Sequence, residues 1–321
     1  MSLHLGIDLG VTNLKWSVVE ADGGSWRAID RGQVPTLASE GPDAVIGRMA
    51  AIGRTELERR PTIGTLGVGV PGLYDPATGS GRFLVNMPGH WIGQPIAPPL
   101  EKALRIPVAL INDARAFGLA ELRLGAGRGV SALVGLTLGT GIGGVIAIDG
   151  RVHLGHDGTA GEIGHQTIDP DGPLCGCGNH GCLEAFARAD RIAASCGTDT
   201  VAAAIEAAQA GDARALAGFA EIGRYLGIGI GNMVVVISPD KVVIGGGISV
   251  AFDAFADSIR EELRRRVRTT SLAEVEVVPA ELGTWAGSIG AAIHGAETAA
   301  HRDAAQNAIK RPLLTVSERH A

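Results

Sequence analysis

The sequence predicts an α/β protein of two lobes, and three observations support this. The chain has 321 residues, which suits two domains of ordinary size. Short apolar segments that fit strands alternate with longer segments of helical periodicity. Two glycine-rich hairpin tips, at residues 8–15 and 138–144, lie in different parts of the chain and indicate duplicated lobes.

The composition excludes several classes of protein. Apolar residues make up 45% of the chain and aromatic residues 4%, so the core consists mainly of Ala, Val, Leu and Ile. The net charge of −6 argues against nonspecific binding to nucleic acid or to an anionic membrane. Five arginines within residues 260–268 have helical spacing and fit a solvated helix face. We expect no membrane span and no signal peptide, because no run of about 18 apolar residues occurs and the N-terminus enters a strand pattern at once.

The first strand leads into a turn whose residues fit a phosphate site. Residues 3–10 predict a buried strand and turn, and residues 14–20 predict the returning strand. In such a hairpin, backbone amides point toward phosphate oxygens and Asp8 can hold a magnesium-bound water. This tip resembles the phosphate hairpin of actin-like kinases, although many unrelated hairpins share the pattern DxGxT. The candidate nucleotide-binding residues here are Asp8, Gly10, Thr12, Asn13 and Lys15.

The rest of the first lobe places two asparagines in candidate sites. Residues 22–24 turn into a further strand, residues 41–60 predict a helix, and residues 65–70 predict a strand. The loop at 84–91 resembles one that carries a sugar-binding asparagine in related kinases, which makes Asn86 a candidate; the alternative is an Asx turn. Asn112 follows a buried strand at 107–111 and precedes a helix at 114–124.

Asn112 and Asp113 form a polar pair at the carboxyl end of that buried strand. Ligands of open α/β sheets bind outside the carboxyl ends of strands, which favours a functional role for the pair. The alternative is structural. In that interpretation Asn112 is an ordinary N-cap, and Asp113 is a first-turn carboxylate that the helix dipole favours.

The second glycine-rich hairpin is the natural partner of the first. Residues 131–138 predict a strand, residues 139–144 the tip, and residues 145–148 the continuing strand. Gly139, Thr140 and Gly141 would offer amides and a hydroxyl to the β- and γ-phosphates of a nucleotide. A dinucleotide-binding GxGxxG motif fits poorly, because this segment opens a strand and not a helix.

A cluster of cysteines with one histidine predicts a zinc site. Thiolates and a neutral imidazole are preferred ligands, and a structural site takes four of them. The candidates are His165, Cys175, Cys177 and Cys182. His180 is a possible substitute nitrogen donor, and the alternative to a metal is a reduced loop whose cysteines only pack. Glu162 and Glu184 flank the cluster, and two such carboxylates suit a polyhydroxylated ligand.

The segment after the cysteine cluster predicts mainly helices, with two further strands. Residues 183–193, 199–210 and 213–233 predict helices, and Cys196 is a packing residue after the first. A strand at 241–244 precedes three glycines and a helix from about 251. A strand at 274–278 and a small-residue helix from about 284 follow. The tail from His301 is polar and weakly patterned, and we expect its end to be frayed.

Two sequence patterns resemble the ROK family of sugar kinases and sugar-responsive repressors. They are ExGH followed by CxCGxxGCxE, at residues 162–184, and NDAxAxxxxE, at residues 112–121. The resemblance implies an actin-like, ribonuclease H-like ATPase fold, structural zinc at the four ligands named above, and a triple-glycine loop on the adenosine side. That loop is Gly245, Gly246 and Gly247. Val11 stands where the family usually has a glycine.

The resemblance also implies a function and a division of the chain. We expect a small lobe at 1–112 plus about 296–321, a larger lobe at 113–295, and ATP with Mg²⁺ between the two hairpins. Asp113 would be the general base that activates a hexose hydroxyl, with glucose as first choice. The sugar-binding residues would be Asn86, Asn112, Asp113, Glu162, His165 and Glu184.

Other functions stay open at this point. Within the family, the substrate can instead be an N-acylhexosamine, mannose or fructose, and polyphosphate can replace ATP. A sugar-sensing repressor would need an N-terminal winged-helix segment of roughly 60–80 residues, whereas this chain starts on the phosphate-loop strand. A zinc-ribbon interaction module predicts no nucleotide loops. We expect a cytoplasmic protein, because clustered free cysteines indicate a reducing compartment. We also expect a homo-oligomer, a dimer or tetramer.

Overall fold

The computed structural model describes residues 1–84, 86–269 and 275–309. Within these ranges the strands are β1 (Ser2–Leu9), β2 (Asn13–Asp22), β3 (Ser25–Pro35), β4 (Ile63–Val70), β5 (Gly72–Asp75), β6 (Ser80–Leu84), β7 (Val108–Asn112), β8 (Leu133–Leu138), β9 (Ile142–Ile148), β10 (Arg151–Val152), β11 (Lys241–Gly245) and β12 (Glu276–Pro279). The helices are α1 (Pro42–Arg59), α2 (Ala97–Leu104), α3 (Asp113–Leu124), α4 (Leu183–Ala187), α5 (Ala189–Cys196), α6 (Val201–Gln209), α7 (Ala213–Ile237), α8 (Phe252–Arg266) and α9 (Ala286–Ile309).

The two lobes are built on sheets of the same topology. The first sheet has the order β3-β2-β1-β4-β7, and the second has the order β10-β9-β8-β11-β12. In each sheet the first three strands pair antiparallel and the last three pair parallel. The duplication that the two hairpins predicted is therefore present, and each glycine-rich tip joins two antiparallel strands at the same place in its sheet.

Helices α3 and α9 pack between the two sheets with very little space. A Cβ atom on Gly6 of β1 would lie 1.9 Å from the Ser288 carbonyl oxygen, and one on Gly67 of β4 would lie 1.7 Å from that of Ala291. A Cβ atom on Gly290 would lie 1.7 Å from the Ala116 carbonyl oxygen of α3. Glycine at these positions lets the helices approach the strands and each other, which confirms the small-residue helix expected at the lobe junction.

Several predicted element bounds differ from the structure. The helix predicted at 183–193 is interrupted at Arg188, whose backbone is extended (φ −79°, ψ 166°), and this separates α4 from α5. The tail predicted to be unpatterned from His301 instead continues α9 to Ile309, while residues 310–321 lie outside the described residues. Helix α9 contacts the first sheet from Ser288 onward, before the expected boundary at 296. The lobe limits at 112 and 296 stay predictions.

One described helix, α7, is long and apolar enough to cross a membrane by length and composition alone. Its buried residues, among them Phe219, Leu226 and Ile230, pack in the hydrophobic core of the second lobe. These core contacts account for the apolar residues on the buried face of the helix.

Candidate active site

A cleft of about 470 Å³ lies between the lobes and collects most of the predicted site residues. Both glycine-rich tips, the Asn112–Asp113 pair and the acidic flanks of the cysteine cluster open into it. The lining residues predicted from the sequence are Asp8, Gly10, Asn86, Asn112, Asp113, Gly139, Thr140, Gly141, Glu162, His165, Glu184, Gly246 and Gly247. Residues more than 200 positions apart therefore meet in one site.

The first tip is a tight turn that a buried threonine supports. The Gly10 amide donates to the carbonyl oxygens of Asp8 and Asn13, both at 3.2 Å. Thr36, which is fully buried, donates its hydroxyl to the Gly10 carbonyl at 2.6 Å. Val11 lies outside the left-handed region, so the turn does not need the glycine that the family usually has there. Sequence reasoning missed Thr36, because its link to the turn is purely tertiary.

Four predicted nucleotide-binding residues lie beside the cleft and do not line it. Gly245 ends β11 under the Phe117 ring, where an added Cβ atom would lie 2.3 Å from the ring. Gly246, the next residue, approaches the backbone of Leu138 and does reach the cleft. The Lys15 ammonium donates to the Thr284 carbonyl at 3.2 Å. Asn13 is the first residue of β2, and Thr12 precedes it in the turn.

The second tip continues directly into a strand. The Gly139 amide donates to the Gly141 carbonyl at 3.0 Å, and β9 begins at Ile142. This confirms that the segment opens a strand and excludes the helix that a dinucleotide-binding motif requires. Glu184 packs against the tip, since its carboxylate accepts from the Ile142 amide at 2.8 Å.

Asn112 caps α3 and thereby fixes the position of Asp113. Its side-chain oxygen accepts from the amides of Ala114 (3.0 Å) and Arg115 (3.2 Å), and its side-chain nitrogen donates to the Gly72 carbonyl at 3.1 Å. The N-cap interpretation of Asn112 is therefore confirmed. Because β7 ends at this residue, Asp113 is the first residue of α3 and faces the cleft at the carboxyl end of a strand.

The two aspartates of the cleft share an environment that favours their neutral forms. Burial raises the pKa of Asp113 to about 6, and the Glu162 carboxylate adds to the rise, whereas the Ala114 amide and the Arg115 guanidinium oppose it. Burial and then the Asp113 carboxylate raise the pKa of Asp8 to about 7, against the effect of Lys15. With a pKa of about 6, Asp113 is mostly ionised near neutral pH and can accept a proton, as a general base must.

Asn86 has a left-handed backbone (φ 58°) in the loop after β6, and it lines the cleft. Asparagine tolerates this conformation better than most residues, so the conformation alone is a structural reason for its presence. Its position at the cleft agrees with the predicted sugar contact, which stays a prediction.

The cysteine cluster converges as the spacing predicted. The ligand atoms of His165, Cys175, Cys177 and Cys182 all lie within 4.8 Å of one another. The Cys177 and Cys182 sulfurs are 3.7 Å apart, and so are the Cys175 sulfur and the His165 Nδ1 atom. In a zinc tetrahedron with bonds of about 2.0–2.3 Å, donor atoms lie roughly 3.3–3.8 Å apart, so this donor set fits zinc.

The nitrogen donor of this cluster is His165. His180, the other candidate, is exposed and its Nδ1 atom lies 3.2 Å from the Gly172 carbonyl oxygen, outside the group of four. Burial raises the pKa of the Cys182 thiol, and a nearby cation is what ionises such a thiol. His165 also lines the cleft, so one side chain joins the cluster to the site.

Comparison with known proteins agrees with this geometry. The ROK family profile matches residues 4–297. The glucokinase of Thermotoga maritima is 34% identical over 309 residues, which cover 90% of this chain and 95% of that protein.

Solved structures give the same result for the fold. A ROK hexokinase from Thermus thermophilus has a TM-score of 0.80 at 33% identity, covering 93% of this chain and 99% of that one. A ROK family glucokinase from Streptomyces griseus, in complex with glucose and AMPPNP, has a TM-score of 0.77 at 29% identity, covering 92% and 100%. The chain therefore belongs to the ROK family, whose kinases have this two-lobed, actin-like fold.

Proposed function

We propose that the protein is a hexose kinase that transfers the γ-phosphoryl group of ATP to glucose, giving glucose 6-phosphate and ADP. The observation that carries this proposal is the cleft, which brings two glycine tips suited to phosphate together with Asp113 and two further carboxylates. The glucokinase of Thermotoga maritima and the glucose–AMPPNP complex of the Streptomyces griseus relative support the choice of both substrates.

Asp113 is the proposed general base. A sugar hydroxyl is a weak nucleophile at neutral pH, so its proton passes to the Asp113 carboxylate as the hydroxyl oxygen attacks the γ-phosphorus. The oxygen–phosphorus bond to the sugar forms while the bond between the γ-phosphorus and the bridging oxygen breaks, and ADP leaves. The N-terminus of α3 favours the ionised carboxylate, and the Ala114 amide holds one carboxylate oxygen at 2.8 Å.

The nucleotide lies between the two tips in this proposal. The first tip at Gly10 and the second tip at Thr140 and Gly141 line the cleft on the phosphate side, while Gly246 and Gly247 leave space for the nucleoside. Asp8 is the hard oxygen donor at the cleft and fits a magnesium ion through a water molecule. When bound, magnesium supplies neutralisation of the charge that develops on the phosphates.

The hexose lies beneath the phosphates, against Asn86, Asn112, Glu162, His165 and Glu184. Glu162 is partly exposed to the cleft, with 43% of its side chain accessible. Glu184 sits between the second tip and the cysteine cluster, because its two oxygens approach the Ile142 amide at 2.8 Å and the Cys175 sulfur at 3.8 Å. Zinc at the cluster has a structural role, holding the loop that ends in Glu184.

A cytoplasmic setting is part of this proposal, and the cysteines support it. All four cysteines are free, and three of them form the cluster, which suits a reducing cytoplasm. The proposed homo-oligomer, a dimer or tetramer, stays a prediction that gel filtration with light scattering can check.

A panel of sugars tests the proposed substrate. We expect glucose to have a higher kcat/KM than N-acetylglucosamine, N-acetylmannosamine or fructose, with mannose as nearest competitor. Each hydroxyl left without a partner in the site loses roughly 1–3 kcal/mol, which is enough to separate epimers. Coupled measurement of ADP formation for each sugar, with ATP and separately with polyphosphate, gives the comparison. A higher kcat/KM for an N-acetylhexosamine would make the glucose assignment wrong while leaving the kinase assignment intact.

The pH dependence of kcat/KM should show the titration of Asp113. The base acts only when ionised, and its pKa is raised to about 6, so activity should be complete above that pH and fall as the pH drops through it. Asp8, Arg115 and Glu162 are the charged groups that act on this titration. Steady-state rates from pH 5 to 8, with thermal denaturation at each pH to confirm folding, measure the acid limb. A rate constant unchanged down to pH 5 in folded protein would contradict the assignment.

A further inference from the structure

Arg115 is a buried cation at the edge of the cleft, and the roles proposed above do not use it. It lies on α3 two residues after Asp113, and only 2% of its side chain is exposed. A charged side chain at this depth is costly unless the charge is paired and its donors are hydrogen-bonded. Its partners therefore indicate what it does.

Within the part of the chain that the structure describes, the hydrogen-bond partners of the guanidinium lie in one short segment. The Nη2 atom donates to the Glu162 carboxylate and to the carbonyl oxygens of Thr159 and Ala160, each at 2.8 Å. The Nε atom donates to the Ala160 carbonyl at 3.1 Å. Arg115 thus joins the helix that starts with the proposed base to the segment at 159–162, which carries a proposed sugar ligand.

That segment is a loop, and its internal hydrogen bonds, from the Ala160 amide to the Leu154 carbonyl at 3.2 Å and from the Thr159 hydroxyl to the Asp157 carboxylate at 2.6 Å, do not involve the Glu162 side chain. Residues 153–162, between β10 and the 3-10 turn at Ile163–His165, form no helix or strand. All three of their glycines, Gly155, Gly158 and Gly161, have left-handed φ values, of 69°, 86° and 98°. Glycines in such a loop leave many backbone conformations accessible, so a fixed position for Glu162 requires contacts from outside the loop.

We propose that Arg115 is a positioning residue for hexose binding. It ties the backbone of residues 159–160 to α3 and holds one oxygen of Glu162, which leaves the other oxygen for a sugar hydroxyl. This inference rests on the hexose-kinase function proposed above. A fork of N–H donors suits the task, because one planar group serves two carbonyls and a carboxylate together.

The charges around Asp113 agree with this arrangement. The Arg115 guanidinium lowers the pKa of Asp113, while the Glu162 carboxylate raises it. Asp8 on β1 faces the same carboxyl group. The proposed sugar-binding carboxylate of Glu162 is therefore placed next to the base, and the Arg115 guanidinium compensates the charge of that carboxylate.

Two substitutions test the role, with a control on the same helix. Arg115→Met should raise the KM for glucose about 10–100-fold, with kcat within about fivefold and the KM for ATP within about twofold, because the lost contact serves sugar binding throughout the reaction. Arg115→Lys keeps the charge but lacks the fork, so its KM for glucose should rise about 3–10-fold. If Arg115→Met does not fold, Arg115→Lys carries the same comparison.

Arg123→Met is the matched control. Arg123 also lies on α3, pairs with Glu297 at 2.8 Å and donates to the Gly150 carbonyl at 2.8 Å, but it does not line the cleft. It should lose thermal stability to a similar degree and keep its glucose KM within about twofold. Equal increases in the KM for glucose and for ATP in Arg115→Met, or an unchanged glucose KM, would overturn the inference.

A double-mutant comparison shows whether Arg115 acts through Glu162. The Glu162→Gln variant and the Glu162→Gln/Arg115→Met double variant should have glucose KM values within about fivefold of each other. In the double variant, the loss of Arg115 only removes support from a sugar ligand that Glu162→Gln has already impaired. A combined effect equal to the product of the single effects would overturn the inference. Wild-type protein that phosphorylates no hexose overturns the proposed function itself, and this is seen before any variant is compared.

Discussion

We expect Asp113→Asn to lower kcat for glucose phosphorylation about 10²–10⁴-fold, the range that a positioned carboxylate base typically contributes. Glucose affinity should stay within about tenfold of the wild-type value. The amide keeps the size of the side chain and most of its hydrogen bonding, but it cannot accept the proton of the attacking hydroxyl.

The structure explains why this substitution should be mild for folding. One oxygen of Asp113 accepts from the Ala114 amide at 2.8 Å, and an asparagine oxygen can accept the same bond. Helix α3 keeps its N-cap, because Asn112 itself accepts from the amides of Ala114 and Arg115. The lost charge lies beside Asp8, whose raised pKa should fall when its acidic neighbour becomes neutral.

The measurement pairs turnover with binding. Initial rates at saturating glucose and ATP give kcat, and calorimetric titration with glucose gives the affinity. Asp149→Asn is the matched control, since Asp149 lies exposed in the turn between β9 and β10 with a left-handed backbone (φ 52°) that asparagine also tolerates. More than a tenth of the wild-type kcat in Asp113→Asn would refute the assignment of the base.

The parts of the site that depend on residues close together in the sequence could be predicted from the sequence. Strand ends and glycine tips leave a signature in the sequence, because apolar runs stop where the backbone must turn, as at Leu138 and Gly139. The Asn112–Asp113 pair likewise follows its strand directly. The four ligands of the cluster span 18 positions, and their residue types and spacing indicate zinc without any tertiary information.

Contacts between distant segments could not be predicted in this way. Arg115 meets its partners 44 to 47 positions later, and Thr36 supports a turn 26 positions earlier, yet neither residue belongs to a periodic pattern. The break between α4 and α5 at Arg188 has no glycine or proline to mark it. The family resemblance predicts a nucleotide contact for Gly245 together with Gly246 and Gly247, whereas tertiary packing places Gly245 under Phe117.

The second large effect that we expect is the loss of zinc and activity when a ligand of the cysteine cluster is removed. We expect purified protein to contain one zinc per chain, and Cys177→Ala to lose both the metal and the activity. Structural zinc contributes roughly 10–16 kcal/mol of apparent binding free energy in small domains, and three remaining ligands bind far less tightly. Cys177 is exposed, so its truncation leaves no cavity and the effect can be assigned to the metal.

Activity should fall with the metal because the loop between His165 and Glu184 is held by turn hydrogen bonds and isolated bridges, and not by regular secondary structure. Within residues 165–184, isolated bridges join Thr167 to Cys182 and Leu174 to His180, and no helix or strand forms before α4. Glu184 lies in the first turn of α4, two residues after Cys182, and its carboxylate also accepts from the Ile142 amide of the second tip. A loosened loop therefore displaces a proposed sugar ligand and a support of the phosphate site together, and we expect kcat/KM for glucose to fall at least about 100-fold.

Loss of the metal, loss of stability and loss of activity can be separated by measuring all three on the same preparations. Elemental analysis gives the zinc content, thermal denaturation the stability, and kinetics the activity. Cys196→Ala is the control, because Cys196 is also a free cysteine but lies buried in α5 outside the cluster, with its thiol 3.4 Å from the Ala215 carbonyl. The control should keep one zinc and near-normal kcat/KM, while Cys177→Ala should hold less than about a tenth of an equivalent and melt at a lower temperature. Fully active enzyme containing less than a few tenths of an equivalent of zinc would show that the cysteines only pack, as the alternative interpretation of this loop requires.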